Sequence, residues 1–235
     1  MARLPILMYH NVSEAEKNAK GLTISKELLE RHFRFLTENN FTTFHLSELE
    51  NRTDIPKKSV VITFDDVTVN QHLAVELLQK YQLKATFFVP FAYVGKTDEW
   101  NKGKEPIMSY SELKNLPENI ELGLHSFSHP KYATLSEAEI ADDFKKCFDA
   151  IQENGLKVHP SVAYPYGNYP KKEPQRSQFY KLLKRNGIEM GLRIGNAVNT
   201  FPFKNPYEIK RIDVKGEDTL LRFRIKLRFG KIKLF

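Results

Sequence analysis

Cysteine is almost absent from this sequence: Cys147 stands alone among 235 residues. One thiol excludes an intrachain disulfide and a thiolate cluster for a metal. Its neighbours, Asp142 to Ala150, have helical character, so a buried, inert side chain is expected. Long apolar runs are also missing, and no segment is a candidate bilayer span. Met1 to His10 carries one cation and a short apolar stretch, without the longer hydrophobic region or small-residue cleavage site of a secretory leader. The expectation is a cytoplasmic protein. Internal repeats, low-complexity tracts and Gly/Ser-rich linkers are absent too, so a single domain over residues 1–235 is expected. Acidic residues are missing from one place only. Arg222 to Phe235 holds six Lys or Arg and no Asp or Glu, which leaves only +1 of the formal net charge of +7 to the rest of the chain. A nucleic-acid-binding body would spread its cations over one face, so that partner class is excluded.

What is present is apolar and aromatic bulk. Hydrophobic residues make up 41% of the chain, with 17 Phe and 10 Tyr, enough to fill a core and to exclude intrinsic disorder. Apolar, β-branched runs alternate with segments of helical period. Leu4 to Tyr9, Val60 to Phe64, Ala85 to Val89 and Ile120 to Leu124 read as strands, and Val162 to Tyr164, Glu189 to Arg193 and Ile209 to Val214 as weaker ones. Ser25 caps a helix with Leu29, Phe33 and Leu36 on one face. A second helical stretch surrounds Leu73 to Tyr81. Capping-box patterns at Ser109–Glu112 and Ser136–Glu139 open two more helices, and another is expected from about Gln178 to Asn186. Strands separated by helices pair in parallel, because each return needs a crossover. About seven such units fit a closed or nearly closed β/α barrel.

Three strand ends carry polar groups of interest. Val60-Val61-Ile62-Thr63-Phe64 runs into Asp65-Asp66, and burying adjacent acids is costly unless a cation offsets them. Alone, such a pair reads as a solvated loop cap. Ile120 to Leu124 leads into His125-Ser126-Phe127-Ser128-His129, whose imidazoles are spaced to converge on one ion. Neutral imidazole with carboxylate is a common ligand set for Zn²⁺ and related ions. Each signal is weak by itself. Together, in a frame that brings its carboxyl strand ends to one face, they point to a metal site. The third, Ala163-Tyr164-Pro165-Tyr166-Gly167, reads either as a Pro-Gly turn or as an aromatic wall for substrate with a backbone N–H free for an oxyanion.

With TFDD, HSFSH and AYPYG in this order, and Lys84-Ala85-Thr86-Phe87-Phe88-Val89 between the first two, the chain resembles the NodB-type polysaccharide deacetylases (carbohydrate esterase family 4) from about Leu4 to Leu227. The resemblance implies a distorted (β/α)₇ barrel and a divalent metal, typically zinc, held by Asp66, His125 and His129. It also implies Asp65 as general base, and Tyr164, Pro165 and Tyr166 as the substrate and oxyanion segment. The implied reaction is hydrolysis of the N-acetyl amide of a sugar or oligosaccharide, either free or lipid-linked. A deformylase or cyclic-amide hydrolase on the same site, or a glycan-binding barrel without turnover, are the alternatives.

The chain departs from that family's pattern at three places. The general acid is commonly a His in a leucine-rich strand near the carboxyl end, but here no His follows His159. Ile6-Leu7-Met8-Tyr9-His10 resembles that strand moved to the front, and closure of a barrel would return His10 to the site. A glycine usually follows the Asp pair, where this chain has Val67, whose β-branch resists positive φ. The third motif often begins with an Arg that orients the base. Ala163 stands there instead, and Arg211 is the expected substitute. In the tail, Arg222 to Phe229 alternates cation and apolar residue like a strand, although Gly216 to Leu221 looks like a helix start. Either the tail packs on the barrel or its cations contact an anionic inner-membrane surface.

Overall fold

The computed structural model describes residues 1–231. In chain order its elements are β1 (Ala2–Leu4), β2 (Ile6–Tyr9), β3 (Asn11–Ser13), β4 (Thr23–Ser25), α1 (Lys26–Glu38), β5 (Thr42–Thr43), β6 (Ser59–Asp65), α2 (His72–Lys80) and β7 (Ala85–Val89). They continue with α3 (Tyr110–Lys114), β8 (Ile120–Leu124), α4 (Glu137–Asn154), β9 (Val158–Ala163), α5 (Gln175–Arg185), β10 (Met190–Ile194), β11 (Asn199–Phe201), β12 (Ile209–Asp213) and α6 (Leu220–Phe229).

Seven of the strands close into a parallel barrel in the order β2-β12-β10-β9-β8-β7-β6, with β6 returning to β2. It is the distorted (β/α)₇ barrel that the family resemblance implied. Closure places the first barrel strand between the last and the second: Leu7 lies against Ile212 on one side and Ile62 on the other. Short elements extend the frame, β5 beside the start of β6 and β1 antiparallel to β11.

The strands sort their side chains by their two-residue period. Val60, Ile62 and Phe64 pack outward under the helices, while Val61 joins Leu4, Ile6, Phe88, Leu192 and Ile209 inside. The same alternation turns Thr63 and Asp65 inward, where the Thr63 hydroxyl donates to Leu7 O at 2.7 Å. Gly123 of β8 gives Phe88 its room, since a Cβ there would stand 2.7 Å from the Phe88 ring.

Helix starts follow their capping residues. Ser25 Oγ accepts from Leu28 N, and full capping boxes form at Ser109–Glu112 and Ser136–Glu139. The tail resolves its two conflicting signals as a helix. Thr219 Oγ1 accepts from Arg222 N, and Phe223, Lys226 and Leu227, spaced three and four apart, turn inward while Arg222, Arg224 and Arg228 stay out. Phe223 stacks on His32 of α1 with ring centroids 3.9 Å apart. Local capping and one buried face outweigh the alternation. The remainder of the basic tail, 232–235, lies outside the described residues. Among the described residues no helix is long and apolar enough to cross a membrane.

Candidate metal centre and active site

Asp66, His125 and His129 stand together at the carboxyl ends of β6 and β8. The two Nε2 atoms are 3.2 Å apart, and Asp66 Oδ1 lies 3.5 Å from the first and 3.6 Å from the second. Metal–ligand bonds of roughly 2.0–2.1 Å in tetrahedral geometry put neighbouring ligand atoms ~3.3–3.4 Å apart. The three atoms are therefore spaced as ligands of one such ion would be, and all three residues line the same cavity.

The environment of each ligand suits a cation. His125 Nδ1 pairs with Ala163 O at 2.8 Å, which assigns the proton to Nδ1 and leaves the Nε2 lone pair facing the site. Burial lowers the pKa of His125 to about 4 and that of His129 to about 2, so both rings are neutral at pH 7, as metal ligands must be. Asp66 moves the other way: burial first, then the charges of Asp65 and Asp98, raise its pKa well above the usual carboxylate range. Its Oδ1 is buried with no hydrogen-bond donor. An orphaned acceptor at the meeting point of two lone pairs is costly in a protein interior, and a divalent ion removes that cost. The residues present fit the group.

Asp65 is held apart from this triangle by a buried arginine. Arg211, rising inside the barrel from β12 and 1% exposed, makes a two-pronged contact, Nη1 to Oδ1 at 2.5 Å and Nη2 to Oδ2 at 2.8 Å. Burial alone would raise the Asp65 pKa, but the Arg211 and His125 charges and the Arg211 hydrogen bonds hold it well below the usual carboxylate range. Asp65 Oδ2 faces the site, 4.0 Å from His125 Nε2. His10 also reaches it, with Nε2 3.6 Å away. Barrel closure thus brings the residue after β2 to the last residue of β6, in a cavity shared with the histidines after β8. Burial lowers the His10 pKa, and the Asp65 charge opposes that shift.

The third motif divides its residues. Tyr164 is buried, and its hydroxyl donates to Tyr207 O at 3.0 Å, so it backs the wall and presents no hydroxyl to the cavity. Pro165 is buried beside it. Tyr166, at φ 57°, is half exposed and sets its ring edge-on to His129, with centroids 4.7 Å apart. It is the second residue of a one-turn 3₁₀ segment, where backbone N–H groups have no intrahelical partner. Val67 does adopt positive φ, at 44°, directly after Asp66 at 77°. That left-handed conformation costs a β-branched residue about 1–2 kcal/mol, and the fully buried Val67 side chain helps to offset it.

Two contributors lay beyond sequence reasoning. Trp100, the chain's one tryptophan, stacks on His129 with centroids 4.1 Å apart and lines the cavity of about 320 Å³ with Leu22, Tyr166 and Ile194. Nothing in its spacing relates it to the histidines. The other is Asp143 of α4, 6% exposed. It accepts from the backbone N–H of Phe127 (3.0 Å) and Ser128 (3.3 Å) and from the Tyr132 hydroxyl (3.2 Å). These bonds fix the loop between His125 and His129, both ends of which sit at positive φ, at Ser126 and His129. Asp143→Ala is expected to weaken divalent-metal affinity by about 10–100-fold, the usual cost of losing an outer-sphere support, in a competition titration with a chromogenic chelator. A buried acid in an amphipathic helix was the available signal, but the sequence cannot say what it faces.

Comparison with known proteins places this geometry. A family model described as polysaccharide deacetylase matches residues 52–190. YxkH of Bacillus subtilis, a protein named as a polysaccharide deacetylase by inference, is 29% identical over 201 residues, covering 81% of this chain and 64% of its own length. The chain thus spans somewhat under two thirds of that relative. The poly-beta-1,6-N-acetyl-D-glucosamine N-deacetylase of Staphylococcus aureus is 27% identical over 90% of this chain and 78% of that protein. Among solved structures, the Streptococcus pyogenes deacetylase PplD in complex with acetate superposes with a TM-score of 0.79 at 19% identity, covering 96% of this chain and 98% of that one. IcaB from Ammonifex degensii gives 0.76 at 21%, covering 97% of each. At these identities the likeness is one of fold. Motif order, barrel and family match agree, and the chain belongs to the polysaccharide deacetylase family.

Proposed function

We propose that the protein removes the acetyl group from N-acetylated sugar units of a polysaccharide or oligosaccharide, with one zinc ion held by Asp66, His125 and His129. The observation that carries this reading is the adjacency of two differently tuned carboxylates. Asp66 is an orphan acceptor that needs a cation, and Asp65 is a base held ionised in the resting site and facing the same space.

Bound there, a divalent ion supplies Lewis acidity, which acidifies a water molecule and polarises the amide carbonyl. The chain's own groups do the rest. Arg211 keeps Asp65 ionised and holds its Oδ2 toward the site, where it takes a proton from the attacking water. The Tyr166 N–H donates to the oxygen that gains charge as the tetrahedral carbon forms. His10, 3.6 Å from Asp65 Oδ2, takes over that proton and delivers it to the nitrogen as the C–N bond breaks, releasing acetate and a free amine. A histidine with a lowered pKa is neutral in the resting site, so a proton arriving from Asp65 gives it the acid form only when the step needs it. His10→Ala is expected to lower turnover by about 10²–10⁴-fold, the range of a lost general acid, with metal content by elemental analysis unchanged.

Arg211 also weighs against a glycan-binding barrel without turnover. Ala163 removes the family's commoner arginine, yet Asp65 has a guanidinium partner from another strand. The leucine, tyrosine, tryptophan and isoleucine around the cavity suit the apolar faces of a neutral sugar. The deciding measurement is metal content combined with acetate release from N-acetylhexosamine polymers, oligomers and lipid-linked forms. A protein that retains no metal, or that releases formate from N-formyl sugars and no acetate, would refute the reading.

A further inference from the structure

A trough of about 570 Å³ lies at the amino-terminal end of the barrel, away from Asp65. Pro5 precedes β2 and Ser59 begins β6. At ~3.3 Å per residue, the run of β6 to Asp65 puts the trough roughly 20 Å from the reacting centre. Its floor is Pro5, Phe35, Phe41 and Ile225, and its edges carry Arg3, Lys57, Lys58, Arg224 and Arg228. No acid lines it. Among the described residues none of these five cations meets a carboxylate. Arg3 and Lys58 donate to the backbone carbonyls of Arg228 and Asn39, and Arg224 lies over the Phe35 ring at 5.3 Å. The body of the chain is otherwise nearly neutral, so five unpaired cations around one apolar trough are a concentration of charge that folding does not require.

Large apolar side chains are exposed there as well. Leu221 is 64% and Phe229 54% exposed, both on the trough. The other large exposed apolar residues among those described are Met1 and three that line the active-site cavity, Leu22, Tyr166 and Ile194. Exposed apolar patches rimmed by charge of one sign mark binding surfaces. Apolar residues beside several cations on a helix match the interface of an anionic bilayer, with phosphates for the cations and the acyl boundary for the hydrophobic side chains.

We propose that this trough docks the chain on an anionic phospholipid bilayer. Arg3, Lys57, Lys58, Arg224 and Arg228 take the headgroup phosphates, and Leu221 and Phe229 enter the boundary with the acyl chains. Docking at this end leaves the cavity at the other end open to a glycan in the aqueous phase. The inference does not depend on the chemistry assigned to that cavity.

The test is sedimentation of the full chain with vesicles of phosphatidylcholine alone and of phosphatidylcholine with phosphatidylglycerol. Binding is expected only to the anionic vesicles and is expected to fall with added salt, each cation contributing about fivefold in affinity. The exposed double variant Arg224→Glu/Arg228→Glu is expected to bind at least about twentyfold more weakly, and Phe229→Ser also weakly, while both keep the parent thermal midpoint and acetate release. Equal binding to neutral and anionic vesicles, no binding to either, or an unaltered double variant would each overturn the proposal. So would sedimentation-velocity evidence of a dimer that the double variant abolishes, because the trough would then be a contact between two copies of the chain.

Discussion

Asp66→Ala is expected to leave a folded chain that holds no divalent ion and releases acetate at least about a thousandfold more slowly, the loss of several kcal/mol of transition-state stabilisation. Elemental analysis after gel filtration and an acetate assay measure the two effects together. Stability is expected to go the other way. In the metal-free chain Asp66 is a buried carboxyl beside the ionised Asp65, with an oxygen that no donor reaches. Removing it relieves that repulsion, so the thermal midpoint of the metal-free variant should equal or exceed that of the metal-free parent. Residues kept for function at a cost to stability behave this way. Added zinc should raise the midpoint of the parent and leave the variant unmoved. A variant that retains metal and turnover would remove Asp66 from the ligand set.

Arg211→Met is expected to have the largest effect on folding. It leaves Asp65 inside the barrel with its bidentate partner gone, and breaking a buried pair from one side typically costs about 3–5 kcal/mol. Urea denaturation at pH 7 measures the loss. The pH dependence carries the sign. In the parent the Asp65 pKa is depressed, so its contribution is fully present above the unfolded value, roughly 3.9, and is lost as pH falls through the lower folded value. Without Arg211, burial, already the largest single influence on Asp65, is left opposed only by the weaker His125 and His10 charges, and the folded pKa rises. The variant is then most stable in acid, and its stability falls as pH rises from the unfolded value toward the raised folded one. Arg211→Met/Asp65→Asn should recover much of the stability and none of the turnover. Asp65→Asn alone is expected to keep its metal and lose about 10²–10⁴-fold in rate. Arg211→Lys should rescue poorly, because an ammonium cannot supply the two parallel bonds.

Much of the fold was legible because its signals are local. Four barrel strands were visible as clear apolar runs and three as weaker ones, of which Val162 to Tyr164 caught only the end of β9, and Ser25, Ser109 and Ser136 marked the starts of three helices through their own side-chain bonds. The tail was ambiguous for the same reason. Alternation in Arg222 to Phe229 and the cap at Thr219 are both local signals, and only the buried face offered by α1 decides between them. Val67 was legible as a conflict but not in its outcome. Whether the loop takes another path or accepts positive φ depends on the packing that encloses its side chain.

The sequence by itself determined which groups exist to do chemistry: two carboxylates after one strand, two imidazoles after another, and a Tyr-Pro turn after a third. Covalent order places those, and the two-residue period of a strand sends alternate side chains to one face. Tertiary structure alone decided the distances between them. Closure of the barrel sets His10, from the first strand, and Arg211, from the last, against Asp65. α4 delivers Asp143 to the histidine loop, and a long connection lays Trp100 on His129. Each of these contacts joins segments far apart in the chain, and electrostatic tuning falls off steeply with distance. The pKa that separates Asp65 from its neighbour Asp66 is therefore a property of the closed barrel and of no segment within it.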